Sequence, residues 1–183
     1  MTAPLHVETS RLALSAPVAA DAAAVFERYA SDPDVTPYLG WPRHQTVADT
    51  QGFLGFSAFQ WDRDGVGPYL IRARADGRLL GSTGLALEPG GLAMTGYVLA
   101  KDVWGRGYAT EALAAVVEVA AGIGVVRIYA VCHPQHRASS HVLEKCGFER
   151  DLRWTGQMEF PNLARGVNQD VLCYARVLKE CAG

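Results

Sequence analysis

Residues 104–109, Trp-Gly-Arg-Gly-Tyr-Ala, form a glycine turn that the sequence pattern places between a strand and a helix. In that arrangement several free backbone N–H groups converge at the positive end of the helix dipole. Gly105 and Gly107 remove side chains that would block a phosphate, and Ala109 keeps the first helical turn small. Arg106 adds a mobile positive charge at the rim. The turn predicts an anion site; the open alternative is a connection whose glycines meet only backbone constraints.

Two other types of phosphate-binding loop fit the glycine turn poorly. A Walker-type loop needs the pattern GxxxxGK[ST], which the chain lacks. A dinucleotide fingerprint needs an acidic residue near the end of the next strand, and here that strand ends at 132–134, Cys-His-Pro. The strands before the turn also have the pattern of an antiparallel meander, whereas a dinucleotide fold places its loop after the first strand of a parallel unit. Both nucleotide interpretations are therefore weakened.

The elements that must position the glycine turn alternate between strands and helices. Asp76-Gly77, between two apolar runs, predicts a two-residue hairpin. Apolar residues spaced i, i+3, i+4, i+7 predict the first helix, which Asp32-Pro33 ends. This order predicts an α/β fold. The predicted helices cover 19–31, 46–61, 110–122 and 137–146, and the predicted strands cover 12–14, 69–75, 79–87, 92–99, 126–132, 148–154 and 171–177.

Length and composition indicate one compact α/β domain over residues 1–183. Of the 183 residues, 49% are hydrophobic and 20% are charged, which suffices for one well-filled core. A net charge of -2 and a pI near 6.2 give no general attraction to nucleic acid or to an anionic membrane. No apolar run approaches the roughly 20 residues that span a bilayer, and the first residues lack a signal-peptide pattern. We expect a cytoplasmic protein with no nucleic-acid or membrane partner.

The cysteines give no sign of a metal site or of disulfides. A structural zinc site needs closely spaced Cys and His ligands. The four cysteines form no CxxC pair and lie in no evident histidine cluster, so we expect reduced thiols and no bound metal. They are Cys132, Cys146, Cys173 and Cys181.

Two longer motifs resemble those of one enzyme superfamily. Residues 96–99, Gly-Tyr-Val-Leu, followed by 104–112, resemble the acyl-CoA motif of the GNAT N-acetyltransferases, in their Rim-type branch. Residues 136–148 resemble the NxxS-to-GF helix of the same family at matching spacing. Trp104 replaces the usual Gln or Arg of the first motif, and His136 replaces the usual Asn of the second. Weaker likeness extends over nearly the whole chain, at 8–12, 40–42, 81–84 and the strand of Asp170.

The resemblance implies a fold, a co-substrate and a set of binding residues. The implied fold is a mixed α/β (α+β) arrangement, a mostly antiparallel sheet of about six to seven strands flanked by about four helices. In this fold the strand before the glycine turn splays from its parallel neighbour, and the pantetheine arm of acetyl-CoA lies in the gap like an added strand. Acetyl-CoA is therefore the implied co-substrate. The implied cofactor-binding residues are Tyr97, Val98, Leu99, Trp104, Gly105, Arg106, Gly107, Tyr108, Ala109, Thr110, His136 and Ser139.

Ser139 is the first candidate for chemistry at a thioester. It shares the spacing i, i+3, i+4, i+7 with Val142, Leu143 and Cys146, so its hydroxyl faces the buried side of its helix. We expect it to contact CoA there and to protonate the departing thiolate. The alternative is a helix-start serine that bonds a nearby backbone group. His136 has similar alternatives, a cofactor bond in place of the usual Asn or a half-exposed helix start.

A general base is harder to find in the sequence. The strand at 92–97 has no carboxylate where many members of the superfamily carry a glutamate. Asp170 is a candidate for orienting the amine or ionising near it, the alternative being an edge-strand aspartate paired with an arginine. Catalysis otherwise relies on water or on another loop. A weak base favours an N-terminal or activated amine, since an α-amine of pKa about 8 is substantially neutral in the cytosol and a lysine of pKa about 10.4 is not.

The function that the sequence favours is N-acetyl transfer from acetyl-CoA to a primary amine. The acceptor is either a protein N-terminus or a small-molecule amine. Tyr38, Trp41 and His44 are expected to cover the acceptor groove, the alternative being ordinary packing of aromatic rings. The competing function is a non-catalytic acyl-CoA-binding or regulatory module, and a nucleotide-dependent oxidoreductase is a weaker third. Relatives in this family often dimerise, which leaves a homodimer open.

Overall fold

The computed structural model describes residues 2–179 of the chain. Within that range the chain forms nine strands and four helices. The strands are β1 (His6–Glu8), β2 (Leu12–Ser15), β3 (Pro68–Ala73), β4 (Leu79–Glu88), β5 (Leu92–Leu99), β6 (Arg127–Cys132), β7 (Glu149–Arg150), β8 (Gly156–Glu159) and β9 (Asn168–Val177). The helices are α1 (Ala22–Val25), α2 (Val47–Asp64), α3 (Tyr108–Gly122) and α4 (Arg137–Lys145).

The strands form a mixed sheet in the order β1-β2-β3-β4-β5-β6-β9-β7, with β8 paired to the first part of β9. Neighbouring strands are antiparallel except β5 and β6, which are parallel. The parallel pair follows from the connection, because α3 carries the chain from the end of β5 back to the start of β6. The expected mostly antiparallel sheet with flanking helices is confirmed.

The sheet has more strands than the six to seven expected. The strands β1, β7 and β8 are too short for each of them to be recognised from the sequence. They contain 3, 2 and 4 residues. Strands of this length do not show the alternation of apolar and polar residues by which strands are recognised. The single strand predicted at 148–154 is replaced by β7, and the chain pairs again only at Gly156, where β8 begins.

The two-residue hairpin predicted at Asp76-Gly77 is wrong. β3 ends at Ala73 and β4 begins at Leu79, so the turn between them is longer. The Gly77 N–H donates to the Ala73 carbonyl at 2.8 Å, and the Ala73 N–H donates to the Arg78 carbonyl at 2.9 Å. Gly77 has a left-handed φ of 70°. The dipeptide located the turn but not its length, because the length depends on where the ladder between the two strands ends.

Local residues define the ends of α2. The Thr46 hydroxyl accepts a hydrogen bond from the Asp49 N–H at 3.3 Å, and the Asp49 carboxylate accepts one from the Thr46 N–H at 2.9 Å. This reciprocal pair is a capping box. Gly65, with φ 65°, ends the helix in the left-handed conformation. In contrast, α1 is short and continues as a π-helical turn over Phe26–Ala30.

The core lies between the sheet and the helices. α3 packs against β2, β4 and β5, α1 packs against β4 and α2, and α4 packs against β6 and α3. Burial of large aliphatic side chains contributes about 1.5–3 kcal/mol each to folding. Completely buried members include Leu12, Leu14, Leu70, Ile71, Leu80, Leu113, Ile128 and Leu143.

The described residues include three of the four cysteines. Cys132, Cys146 and Cys173 are buried free thiols, and Cys181 lies outside the described residues. Between residues 2 and 179 no three His, Cys, Asp or Glu side chains are grouped so that they could hold a metal ion. None of the helices in the same range combines the length and the apolar character needed to cross a bilayer.

Candidate functional site

The ladder between β5 and β6 ends part-way along the two strands. They pair only over Leu92–Met94 and Arg127–Tyr129, although β5 continues to Leu99 and β6 to Cys132. The outer edges of both strands stay paired, with β4 and with β9. The inner edges beyond the ladder therefore face a gap with backbone donors and acceptors, to which an extended ligand could bond like an added strand. The expected splay of β5 from β6 is confirmed.

The glycine turn follows β5 and leads into α3. Gly105 has φ 73° and Gly107 has φ 78°, both in the left-handed region. A Cβ on Gly105 would meet no atom within 4 Å, so backbone conformation rather than space requires glycine there. Gly107 is also the N-cap of α3, and the first-turn N–H groups receive no side-chain cap. Uncapped N–H groups at the positive end of a helix dipole suit an anion.

A side-chain hydrogen bond of Trp104 connects the glycine turn to β5. Its indole N–H donates to the Leu99 carbonyl at 2.8 Å, and 48% of the residue is exposed. The Leu99 carbonyl is therefore engaged on one side by the protein itself. The indole also forms part of the exposed rim of the turn, beside the exposed Arg106.

Residues near the N-terminus hold the first turn of α3 through Glu111. The Glu111 carboxylate accepts hydrogen bonds from the Thr9 hydroxyl at 2.6 Å and from the Ser10 hydroxyl at 3.0 Å. It also accepts the Arg11 backbone N–H at 2.9 Å and the Arg11 Nε at 2.6 Å. Arg11 Nη1 then donates to the Arg106 carbonyl in the glycine turn at 3.0 Å. We call these residues the Glu111 brace: Thr9, Ser10, Arg11, Arg106 and Glu111.

The Glu111 brace changes the acidity of its carboxylate. Burial acts to raise the pKa of Glu111, but the hydrogen bonds from Thr9, Arg11 and Ser10 outweigh it and lower the pKa to about 2. The carboxylate therefore stays ionised at the start of α3, where a negative charge is favourable. From the sequence alone, 8–12 showed only a weak family likeness, and nothing linked that segment to a glutamate about 100 residues later.

A cavity of about 950 Å³ lies beside the gap between β5 and β6. Its wall combines β4, β5, β6, α2, α4 and the loop at 38–44. The cavity brings expected cofactor and acceptor residues together although they come from distant segments. Those in its wall are Tyr38, Trp41, His44, Tyr97, Val98, His136 and Ser139.

Ser139 contacts Tyr97 within the wall of this cavity. The Tyr97 phenol donates a hydrogen bond to the Ser139 carbonyl at 2.9 Å, and the same phenol oxygen lies 3.0 Å from Ser139 Oγ. These contacts connect α4 to β5. Burial raises the pKa of Tyr97, and the hydrogen bond with Ser139 offsets this only in part. The phenol therefore remains protonated over the working pH range of a protein.

Tyr38 lies between two imidazole rings. Its ring centroid is 5.0 Å from that of His133 and 4.8 Å from that of His136, with the planes nearly parallel. His133 is engaged at both nitrogens, by the Gln135 N–H and by Gln169 Oε1, each at 3.1 Å. The His136 imidazole makes no capping bond to α4, although His136 is its N-cap. Burial, and secondarily His133, lowers the pKa of His136, so its ring is neutral at pH 7.

Trp41 and His44 form another part of the cavity wall. Their ring centroids are 5.1 Å apart, and His44 Nδ1 lies 2.8 Å from the Thr50 hydroxyl. Burial lowers the pKa of His44, although Asp49 acts in the opposite direction. The carboxylate of Asp49 also lies in the wall, but the capping box of α2 already uses it. The wall at this end of the cavity is therefore aromatic, and the carboxylate of Asp49 is already hydrogen-bonded within the protein.

Residues 11–149 match the family model of the acetyltransferase (GNAT) domain. The chain belongs to the GNAT acetyltransferase family. Its similarity to individual GNAT members is moderate. YoaA of Bacillus subtilis (strain 168), an uncharacterized N-acetyltransferase, is 28% identical over 149 residues, which make up 79% of this chain and 83% of YoaA. The matched range includes both the glycine turn and α4.

Solved structures of GNAT enzymes share this fold over almost their whole length. An acetyltransferase of the GNAT family from Bacillus anthracis has a TM-score of 0.78 and 25% identity, covering 96% of this chain and 99% of its own. RimL, a ribosomal-protein α-N-acetyltransferase solved in complex with coenzyme A, has a TM-score of 0.79 and 22% identity, covering 97% and 98%. The resemblance to the Rim-type branch is thus confirmed at the level of the fold.

Asp170 does not reach the GNAT cavity. Its side chain is exposed on β9 and accepts a hydrogen bond from Gln157 Nε2 at 2.8 Å. It is not part of the cavity wall, which does contain Ser139. The structure therefore does not bring the two expected catalytic residues together. Its partner is a glutamine from β8 rather than the arginine considered as an alternative.

Proposed function

We propose that this GNAT protein transfers an acetyl group from acetyl-CoA to a primary amine, within one domain spanning residues 1–183. The observation that carries the proposal is the gap between β5 and β6, flanked by the uncapped start of α3. An extended arm with amide groups fits between the two strand edges, and a pyrophosphate fits the first-turn N–H groups. A polar arm joined to a pyrophosphate is the shape of coenzyme A. The RimL neighbour was solved with that molecule.

The proposed cofactor contacts follow the two features of this site. Tyr97, Val98 and Leu99 supply backbone groups along the gap. The pyrophosphate is bound at the glycine turn, by residues Trp104, Gly105, Arg106, Gly107, Tyr108, Ala109 and Thr110. The arm then ends in the cavity near Ser139, whose hydroxyl is within reach of a thioester placed beside Tyr97.

The reaction requires a proton acceptor and a proton donor from the protein. Bound acetyl-CoA supplies the acyl group as a thioester, which an amine converts to an amide and a free thiol while one amine proton passes to the sulfur. Ser139 serves as donor toward the sulfur. His136 serves as acceptor, because its imidazole is neutral, makes no capping hydrogen bond to α4 and lies in the same cavity wall as Ser139. Asp49 and Asp64 also lie in the wall, but a capping box and an ion pair with Arg63 engage their carboxylates.

The aromatic wall defines the acceptor side. Tyr38, Trp41 and His44 are proposed to contact the acceptor beside the thioester. An α-amine of pKa about 8 fits a site whose base is a single imidazole, because about a tenth of the amine is already neutral at pH 7, a far larger fraction than for a lysine of pKa about 10.4. The RimL neighbour is named for an α-N-protein activity, which favours a protein N-terminus over a small amine.

We place the reaction in the cytoplasm and propose a homodimer. Light scattering after gel filtration tests the oligomeric state.

The test is release of free CoA from acetyl-CoA in the presence of single acceptors. Peptides beginning with serine or alanine are compared with their N-terminally blocked forms and with small primary amines. A free thiol and an acetylated peptide, detected by a thiol reagent and by mass spectrometry, support the proposal. Acetyl-CoA binding without turnover over the whole panel would instead support the non-catalytic acyl-CoA-binding module. That alternative is favoured by the exchange of the usual Asn for His136.

A further inference from the structure

We propose that the Tyr97 phenol positions the hydroxyl of Ser139 for the departing thiol, a role that rests on the proposed acetyl transfer. The two residues belong to different elements that meet at the cavity. Tyr97 lies on β5, at the gap, and Ser139 lies in the first turn of α4. Both are in the wall of the cavity. Tyr97 is therefore a positioning residue that acts through Ser139.

One phenol oxygen makes two contacts but carries a single proton. In the resting structure that proton goes to the Ser139 carbonyl, 2.9 Å away, because a carbonyl can only accept. The phenol oxygen is then free to accept the Ser139 O–H, whose oxygen is 3.0 Å away. The side-chain oxygen of Ser139 is thereby held in place before any thiolate forms.

The same geometry allows the hydroxyl to turn without losing its partner. When Ser139 directs its O–H to the sulfur, the Tyr97 O–H can swing from the carbonyl to Ser139 Oγ, which is already at hydrogen-bond distance. Ser139 Oγ is therefore bonded in both arrangements, and no half-buried hydroxyl is left unpaired. Because Ser139 Oγ keeps its position in both arrangements, part of the entropic cost of ordering it in the transition state is avoided.

Bonds and protons balance without any net transfer from Tyr97. The N–C bond forms, the C–S bond breaks, and the electron pair of the broken bond stays on sulfur. The proton that sulfur gains passes through Ser139, which regains one from the amine by way of the proton acceptor. Tyr97 only exchanges hydrogen bonds and keeps its own proton, consistent with a phenol that burial keeps neutral.

The test is a double-mutant cycle of Tyr97→Phe and Ser139→Ala with acetyl-CoA and a peptide that begins with serine. Tyr97→Phe is expected to lower kcat about tenfold, the size of one lost hydrogen bond of about 1.4 kcal/mol in the transition state. The KM for acetyl-CoA should change less than about twofold, because the backbone of β5 is untouched. In the Ser139→Ala background, Tyr97→Phe should have no further effect on kcat.

A matched control is Tyr69→Phe, which removes a phenol that donates to the Pro4 carbonyl at 2.6 Å outside the cavity. It should lower the melting temperature without changing kcat. An equal loss of kcat from Tyr97→Phe with and without Ser139 would overturn the inference, as would a change in KM alone. A wild-type protein that binds acetyl-CoA but releases no CoA, or a Ser139→Ala variant with full kcat, would instead refute the proposed function or the role of Ser139.

Discussion

At the scale of the residue, the three histidines near the cavity differ in what their surroundings leave free. His133 is bonded at both nitrogens, and His44 is bonded at Nδ1 to Thr50. His136 stacks on Tyr38 but makes no capping bond to its helix. An imidazole that is neutral and not engaged by the protein is the form that can accept a proton from an amine. This is the physical basis for assigning the proton-acceptor role to His136.

The first residue-scale prediction concerns the pH dependence of kcat. Because burial lowers the pKa of His136, its proton binds only below the usual value of about 6.5, and kcat should fall on the acid side of that value. The free energy of unfolding should also decrease toward acid pH, because the unfolded chain binds this proton at a higher pH than the folded chain does. His136→Gln should lower kcat and reduce the slope of the acid limb below that value from about two protons to one, because the acceptor amine of pKa about 8 still titrates. His141→Gln, an exposed histidine on the same helix, should leave both unchanged, and an unchanged slope without His136 would contradict the assignment.

The second residue-scale prediction compares two glycines in the same conformation. Gly105 has φ 73° and Gly77 has φ 70°, and a Cβ on either would meet nothing within 4 Å. Alanine at either position should cost about 1 kcal/mol of folding free energy, measured by denaturant unfolding. Only Gly105→Ala distorts the anion site, so calorimetry should show at least about tenfold weaker acetyl-CoA binding for it alone. Equal binding by both variants would exclude the glycine turn as the pyrophosphate site.

At the level of secondary structure, the start of α3 depends on a segment near the N-terminus, about 100 residues earlier in the chain. The Glu111 brace joins the turn between β1 and β2 to the first turn of α3 and to the glycine turn. The guanidinium of Arg11 also lies 4.6 Å from the ring centroid of Tyr108, the first residue of α3. The positive charge of Arg11 neutralises the negative charge of Glu111, which would otherwise repel a phosphate. The brace therefore holds the start of α3, where we propose that the pyrophosphate binds.

The prediction at this scale is that Glu111→Gln destabilises the protein by about 2 kcal/mol at neutral pH. Because the folded pKa of Glu111 is about 2, against an ordinary 4.5, its stabilisation is present above 4.5 and is lost as the pH falls through 2. Urea unfolding at several pH values should show the wild-type and Glu111→Gln curves converging toward acid pH. The KM for acetyl-CoA should rise in the variant.

A matched control for the brace is the exposed ion pair of Lys101 and Asp34, at 2.6 Å. Asp34→Asn should change stability much less than Glu111→Gln does, because exposed pairs contribute little. A Glu111→Gln variant that is no less stable than Asp34→Asn would show that the brace does not hold α3.

At the scale of the whole molecule, the sheet is a continuous surface with one local break. Both outer edges of the gap are fixed, by β4 on one side and β9 on the other. The site is therefore formed by two parts of the sheet that touch through Leu92–Met94 and Arg127–Tyr129 and then separate. A ligand bonded to both inner edges would join these parts.

The whole-molecule prediction is that acetyl-CoA stabilises the protein and protects the gap from hydrogen exchange. At 100 times its Kd, a ligand adds about 2.7 kcal/mol of stability. The melting temperature should rise with acetyl-CoA and not with NAD, and exchange should slow at 95–99 and 130–132. Slower exchange elsewhere, with no change in these two segments, would mean that the arm of acetyl-CoA does not lie between β5 and β6.

Features that depend on neighbouring residues can be predicted from the amino-acid sequence alone. The glycine turn at 104–109, the helix that starts at Thr46 and the buried side of α4 follow from spacing and backbone preference over a few residues. The motifs at 96–112 and 136–148 were likewise sufficient to indicate the family and the mixed fold. These are short-range properties, so they can be recognised before any tertiary contact is known.

Contacts between residues far apart in the chain depend on the folded structure. The Glu111 brace and the contact of Tyr97 with Ser139 join side chains about 40 to 100 positions apart. Asp170 looked suitable by residue type but lies on an exposed part of β9 away from the cavity. Register, strand length and helix packing set these distances, and they result from the balance of the whole core rather than from any local pattern.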